Sequence, residues 1–124
     1  MLIDSSKPKR KITEVLEVDS IIMDIDRAIN IGLILNELVT NSIKHAFKYL
    51  DDPVIKLKIK KTEEEVWIAF ADNGNNAEVD VESNSVGFGW ELINSLVLSL
   101  GGQLDYSVND GFAVDIKFPV ESPD

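Results

Sequence analysis

The chain has 124 residues, 44% hydrophobic and 27% charged, and its 12 Lys and Arg against 22 Asp and Glu give a formal net charge of −10. That length suits one domain with its own core, and the acidic balance argues against a nucleic-acid partner, whose phosphates call for Lys and Arg contacts. The lack of cysteine excludes disulfides and thiolate metal sites, the single histidine excludes a multi-histidine site, and no apolar run reaches the roughly 20 residues that span a bilayer.

Residues 1–11 are polar, contain Pro8 and end in Lys9-Arg10-Lys11; they read as a loose lead-in to a single domain over 12–124. Without an apolar signal segment, the expected compartment is the cytoplasm. From Ile12 to Ile25, apolar residues alternate imperfectly with acids, which predicts two short strands with a turn near Asp19-Ser20. Asp26 is the expected N-cap of a helix running to about Tyr49, some 35 Å at 1.5 Å per residue, and Asp51-Asp52-Pro53 stops it.

Within that helix, Leu35, Leu38, Val39, Ser42 and Ala46 have the spacing of a buried stripe, while Glu37, Asn41 and His45 fall on another face. A carboxylate and a carboxamide one turn apart offer a proton acceptor beside an oxygen able to hold a hard cation such as magnesium. Taken alone, the same spacing equally describes an exposed polar face.

Val54 to Thr62 alternates Ile55, Leu57 and Ile59 against Lys56, Lys58 and Lys60, the pattern of a half-buried strand. Glu63-Glu64-Glu65 turns the chain, and Val66 to Ala71 returns as a more buried strand that delivers Asp72-Asn73-Gly74 to its end. Asn75 to Val86 reads as a loop. A helix follows Gly87-Phe88-Gly89, with Leu92, Ile93, Leu96 and Leu100 on one stripe and Gly101-Gly102 as its stop. Two last strands, Gln103–Val108 and Phe112–Val120, flank a turn at Asn109-Asp110-Gly111. This order predicts an α/β (α+β) two-layer sandwich, a mixed, mostly antiparallel sheet covered on one face by helices.

Three pieces together resemble the ATP-binding catalytic domain of sensor histidine kinases, a member of the Bergerat-fold superfamily. Leu35 to Phe47 looks like its N box, Asp72-Asn73-Gly74 like its first glycine box, and Gly87-Phe88-Gly89 before Trp90-Glu91-Leu92-Ile93 like its second. The resemblance covers roughly residues 18–120 and implies a catalytic fragment of a longer protein histidine kinase that uses ATP and Mg2+. It implies Glu37 as the catalytic proton acceptor or water-positioning group and Asn41 as the magnesium ligand. Lys44 and His45 would face the phosphates, or be a surface lysine and a helix-face histidine. Asp72 would accept from the adenine amino group, with Gly74 letting backbone approach the ring, and Gly87 and Gly89 would bring backbone N–H groups to the phosphates. The implied partners are an acceptor-histidine dimerisation domain and a response regulator, because His45 sits within the N box and is not the acceptor.

Two positions depart from the family pattern: Asn76 stands at a usual glycine, and Phe112 follows Gly111 where a threonine hydroxyl usually supports the adenine site. Trp90 either caps the phosphates or fills core. The alternatives to a kinase are a degenerate binding module that keeps only the fold, or a serine kinase of the anti-sigma-factor type.

Overall fold

A computed structural model describes residues 11–47, 50–74, 88–109 and 111–121. Residues 1–10 of the expected lead-in, the Asn75–Val86 loop with Asn76, Gly87, and the expected helix end at Tyr49 lie outside them.

Five strands form one sheet: β1 (Thr13–Val18), β2 (Val54–Lys61), β3 (Glu65–Asp72), β4 (Gln103–Asn109) and β5 (Gly111–Pro119), in the order β1-β2-β3-β5-β4. Two helices, α1 (Ile25–Asn41) and α2 (Phe88–Ser99), cover one face. β1 runs parallel to β2, with Thr13 opposite Val54 and Val18 opposite Ile59; the other pairings are antiparallel. The parallel pair follows from the crossover, since a helix between two neighbouring strands carries the chain back to the end from which it started.

The alternation in β3 decides what faces the helices. Val66, Ile68, Phe70 and Asp72 are all buried, while Trp67, Ala69 and Ala71 are only half-buried on the other face. Opposite them, β5 contributes Val114, Ile116 and Phe118, and the helices add Ile34 and Leu38 from α1 and Ile93, Val97 and Leu100 from α2. Asp72 therefore occupies the next position of an apolar stripe.

Three expectations are corrected. Only Thr13–Val18 forms a strand in the segment expected to hold two, because the Asp19 N–H donates to Ile59 and ends the ladder, and the Asp24 carboxylate then accepts from Arg27 N–H at 2.9 Å to cap the helix. Asp24, not Asp26, is the N-cap, and the helix begins at Ile25. At its other end α1 stops at Asn41, and Ser42–Ala46 form a π-helical turn in which Phe47 N–H donates to the Ser42 carbonyl at 2.8 Å. The α-helix itself is thus about 25 Å long, shorter than expected.

The buried stripe of α1 is centred on Ile34, Leu38 and Ser42, with Leu35 and Val39 half-buried at its border. In α2, Leu92 is 38% exposed, and the buried positions are Trp90, Ile93, Val97 and Leu100, one step round from the predicted stripe. Trp90 is core. Gly101 ends α2 with φ 74°, donating to Leu98 while Gly102 donates to Val97, a Schellman closure that needs the left-handed region.

Candidate functional site

The buried Asp72 carboxylate, 6% exposed, is held from three elements. Ser42 Oγ donates to Oδ2 at 2.7 Å from the π turn, Gly74 N–H to Oδ1 at 3.0 Å from the residue pair beyond β3, and Phe112 N–H to Oδ1 at 3.2 Å from β5. Three donors repay much of the cost of taking the Asp72 side-chain oxygens from water. β5 comes this close because Gly111 has φ 127° and no side chain; a Cβ there would lie 2.1 Å from the Asp72 carbonyl oxygen. Asn73 closes the same corner: its Oδ1 accepts from Val54 N–H at 2.7 Å and its Nδ2 donates to the Asp52 carbonyl at 2.9 Å, pinning the start of β2 to the end of β3.

A second group lies against the first turn of α2. A Cβ built on Gly89 would stand 2.5 Å from Glu37 Oε2 and 3.5 Å from Asn41 Nδ2, so the glycine lets the start of α2 pack closely against a carboxylate and a carboxamide. Glu37 and Asn41 are both half-buried, one turn apart on α1. Asn41 and Ser42 are consecutive, so this group adjoins the Asp72 group through the backbone. Lys44 and His45 are exposed on the π turn that follows.

Beside these polar groups stand three rings. Trp90 meets Tyr106 and Phe112 edge-on, with centroids 5.5 and 5.8 Å away, and Tyr106 lies 6.3 Å from Phe112. A cavity of about 270 Å³ adjoins the Asp72 backbone, but its side-chain lining of Val54, Lys56, Ala71, Ser107 and Ala113 belongs to the uncovered face of the sheet. The Asp72 carboxylate points the other way, towards the helices.

Of the residues expected from sequence, the fold brings Glu37, Asn41 and Gly89 together, and Asp72 and Gly74 together. Two participants went unassigned. Ser42 was counted as part of a packing stripe, although a hydroxyl in such a stripe signals a buried partner. Gly111 was read only as a turn residue. Phe112 meets Asp72 through its backbone N–H, a contact independent of its side chain.

The oxygens of Glu37 and Asn41 are of the kind that suits a hard divalent cation. Among the described residues no group of three His, Cys, Asp or Glu side chains could hold a metal.

Comparison with known proteins agrees with this fold. A family model described as histidine kinase-, DNA gyrase B-, and HSP90-like ATPase matches residues 26–122. The chain is 26% identical over 108 residues to blue-light-activated histidine kinase 2 of Erythrobacter litoralis (strain HTCC2594), covering 85% of this chain and 31% of that protein. Its fold is similar to the histidine kinase domain from the Erythrobacter litoralis EL346 blue-light activated histidine kinase, with TM-score 0.78, 24% identity and coverage of 88% of this chain and 52% of that one. The Acinetobacter baumannii histidine kinase AdeS is similar too, at TM-score 0.70 and 18% identity over 90% of this chain and 56% of that one. The chain thus spans about a third of the curated relative and about half of these solved chains.

Proposed function

The chain belongs to the family of histidine kinase-, DNA gyrase B-, and HSP90-like ATPases, and on that premise we propose that it is the ATP-binding catalytic domain of a sensor histidine kinase, presenting Mg-ATP to a histidine on a separate domain or chain. The observation that carries this reading is the inward Asp72 carboxylate, joined through Asn41-Ser42 to the Glu37, Asn41 and Gly89 group.

In this reading Asp72 accepts from the exocyclic amino group of adenine. Guanine has a carbonyl there, so the carboxylate selects ATP over GTP. Asn41 offers its amide oxygen to Mg2+, and Glu37 stands beside it; the ion, when bound, neutralises charge on the phosphates. Gly87 and Gly89 let backbone N–H groups at the start of α2 approach the phosphates, while Lys44 and His45 supply a cation and a donor from the π turn. Phosphoryl transfer depends mainly on positioning and charge neutralisation. An imidazole nitrogen of the acceptor bonds to the γ-phosphorus as the bridging P–O bond breaks, ADP takes the electron pair, and Glu37 takes the imidazole proton.

The partners in this reading are an acceptor-histidine dimerisation domain and a response regulator, in keeping with the greater length of the relatives. Among the described residues no helix is long and apolar enough to cross a membrane, and the need for ATP favours the cytoplasm. A degenerate binding module is not favoured, since Asp72 keeps three donors despite Phe112.

Calorimetric titration with ATP, in magnesium and in EDTA, tests the reading. Wild type is expected to bind saturably, more tightly with magnesium, and Asn41→Ala to lose most of that magnesium-dependent gain. No heat at millimolar Mg-ATP from folded protein would overturn the kinase reading, and an Asn41→Ala loss equal in magnesium and in EDTA would remove Asn41 from the metal.

A further inference from the structure

The helix α1 is apolar on two sides. Ile34 and Leu38 face the core, and the side opposite them is apolar as well. Between Arg27 and Lys44 the exposed residues are Ala28, Ile29, Gly32, Leu33, Asn36 and Ile43, and none of them is charged. In a chain of which 27% is charged, the outer face of a surface helix is where charges belong. Instead Ile25, Ile29, Leu33 and Ile43 stand between 42% and 74% exposed. Single exposed apolar residues are ordinary, whereas a contiguous row of them marks a contact surface.

The row has the spacing of a helix–helix seam. Ile25, Ile29, Gly32 and Asn36 follow one another at intervals of four, three and four residues, the pattern by which one helix meets another. Gly32 sits in its middle, and a Cβ there would meet no atom within 4 Å. Glycine weakens a helix interior relative to alanine, and here the missing side chain makes way for no neighbour among the described residues. It does lower the helix surface at the point where a second backbone would cross.

The ends of the row identify the occupant. Asp26 lies at its start and Lys44 just beyond its end, both exposed. Two copies of α1 crossing antiparallel bring the acidic start of each toward the basic end of the other, whereas a parallel crossing sets like charges side by side. The antiparallel crossing also matches Ile25 with Ile43, Ile29 with Thr40 and Gly32 with Asn36, each pair occurring twice about a two-fold axis.

We propose that this outer seam of α1 is the contact of a homodimer, in which α1 of a second copy crosses antiparallel over Gly32. The inference does not depend on the ATP reading, since Glu37 and Asn41 lie on the side of α1 that meets α2 and stay outside the seam. A seam about 27 Å long and one helix wide falls short of the roughly 800 Å² per partner of a stable interface. Each copy also carries a net charge of −10. The dimer is therefore weak, with a Kd on the order of 10–100 μM.

Sedimentation equilibrium of the whole chain, from about 10 μM to about 1 mM, tests the proposal, with thermal melts to establish that each variant is folded. Wild type should pass from monomer to dimer across that range. Ile29→Glu should weaken the dimer at least about tenfold, because it buries an unpaired charge in the seam. Gly32→Leu distinguishes a fitted seam from general stickiness. It adds apolar surface and improves helix propensity, so it should raise the melting temperature, and yet it should weaken the dimer about tenfold by holding the helices apart. Asp26→Lys should weaken the dimer about threefold, and Asp26→Lys combined with Lys44→Glu should restore it. A chain that is monomeric at about 1 mM would overturn the proposal and leave the seam to a different partner, as would a dimer untouched by Ile29→Glu. Association of Gly32→Leu as tight as that of wild type would reduce the contact to unspecific apolar clustering, and no recovery in the double charge swap would overturn the antiparallel crossing.

Discussion

The helix α1 and the π turn that follows it bury one polar side chain near each end, Arg27 and Ser42, and the two are held by different kinds of partner. Near the start, the Arg27 guanidinium donates to the backbone carbonyls of Val120 and Pro119 and lies over the Phe118 ring, 5.2 Å from its centroid. At the far end, Ser42 donates to the side chain of Asp72. Arg27 is a fastening: its acceptors are main-chain groups at the end of β5, and pairing them joins the helix to the end of an interior strand. Ser42 instead donates to a carboxylate that belongs to the same corner as Glu37, Asn41 and Gly89. Burial of a polar group does not by itself mark a functional site; the identity of its partner separates the two ends.

The largest expected effect lies at the fastening. Arg27→Ala strips two carbonyls of their donor and removes the cation from the Phe118 face, and is expected to cost about 3 kcal/mol of folding stability in urea titrations. At temperatures where the variant is folded, its ATP affinity should match that of wild type. A loss under about 1 kcal/mol would reduce Arg27 to an ordinary surface arginine, and a changed affinity would erase the distinction between the two ends.

Glu37→Gln sharpens the comparison from the other side. It keeps shape and removes a proton acceptor, so nucleotide affinity should hold while phosphoryl transfer to a supplied acceptor domain falls about 100-fold, the low end of general base catalysis. Equal single-turnover rates for the two proteins would remove Glu37 from the chemistry.

The smallest effect belongs to a polar cluster that is not buried at all. Glu17 lies 3.4 Å from both Lys58 and Lys60 on the exposed side of β1 and β2, and hydrogen bonds from Lys60 and then Lys58 hold its carboxyl below the ordinary 4.5. A lowered folded-state value means that the unfolded chain takes up the proton first on acidification. The contribution is therefore complete above about pH 4.5 and disappears as pH falls through the lowered value. Glu17→Gln should shift the melting temperature only slightly at pH 7, and the shift should shrink as the solution is acidified below about pH 4.5 and in about 1 M salt, where the screening length is about 3 Å. A shift that persists in high salt would mean packing rather than charge.

Much of this molecule was legible in one dimension. Alternation of Ile55, Leu57 and Ile59 against Lys56, Lys58 and Lys60 identified β2 and its two faces, because a pleated strand turns successive residues to opposite sides. The apolar run Val66–Ala71 identified β3 and brought Asp72 to its end without telling its faces apart, and the helical spacing of Glu37 and Asn41 put them on one side of α1. Local signals were also enough to stop α2 at Gly101-Gly102.

Tertiary structure decided the rest. Periodicity tells which side a residue faces and says nothing of what lies across from it, so the partnership of Ser42 with Asp72, thirty positions apart, and of Arg27 with the end of β5 had no sequence signal. The capping competition between Asp24 and Asp26 was settled by where β1 leaves its ladder with β2, and the early end of α1 by a π turn that carries Ser42 at its start. Gly89 reads in the sequence as part of a glycine box, and in the fold it is the point where the start of α2 packs closely against Glu37 and Asn41. Composition and spacing determined the layers and the chemical groups available; close packing of elements distant in the chain determined which of those groups meet.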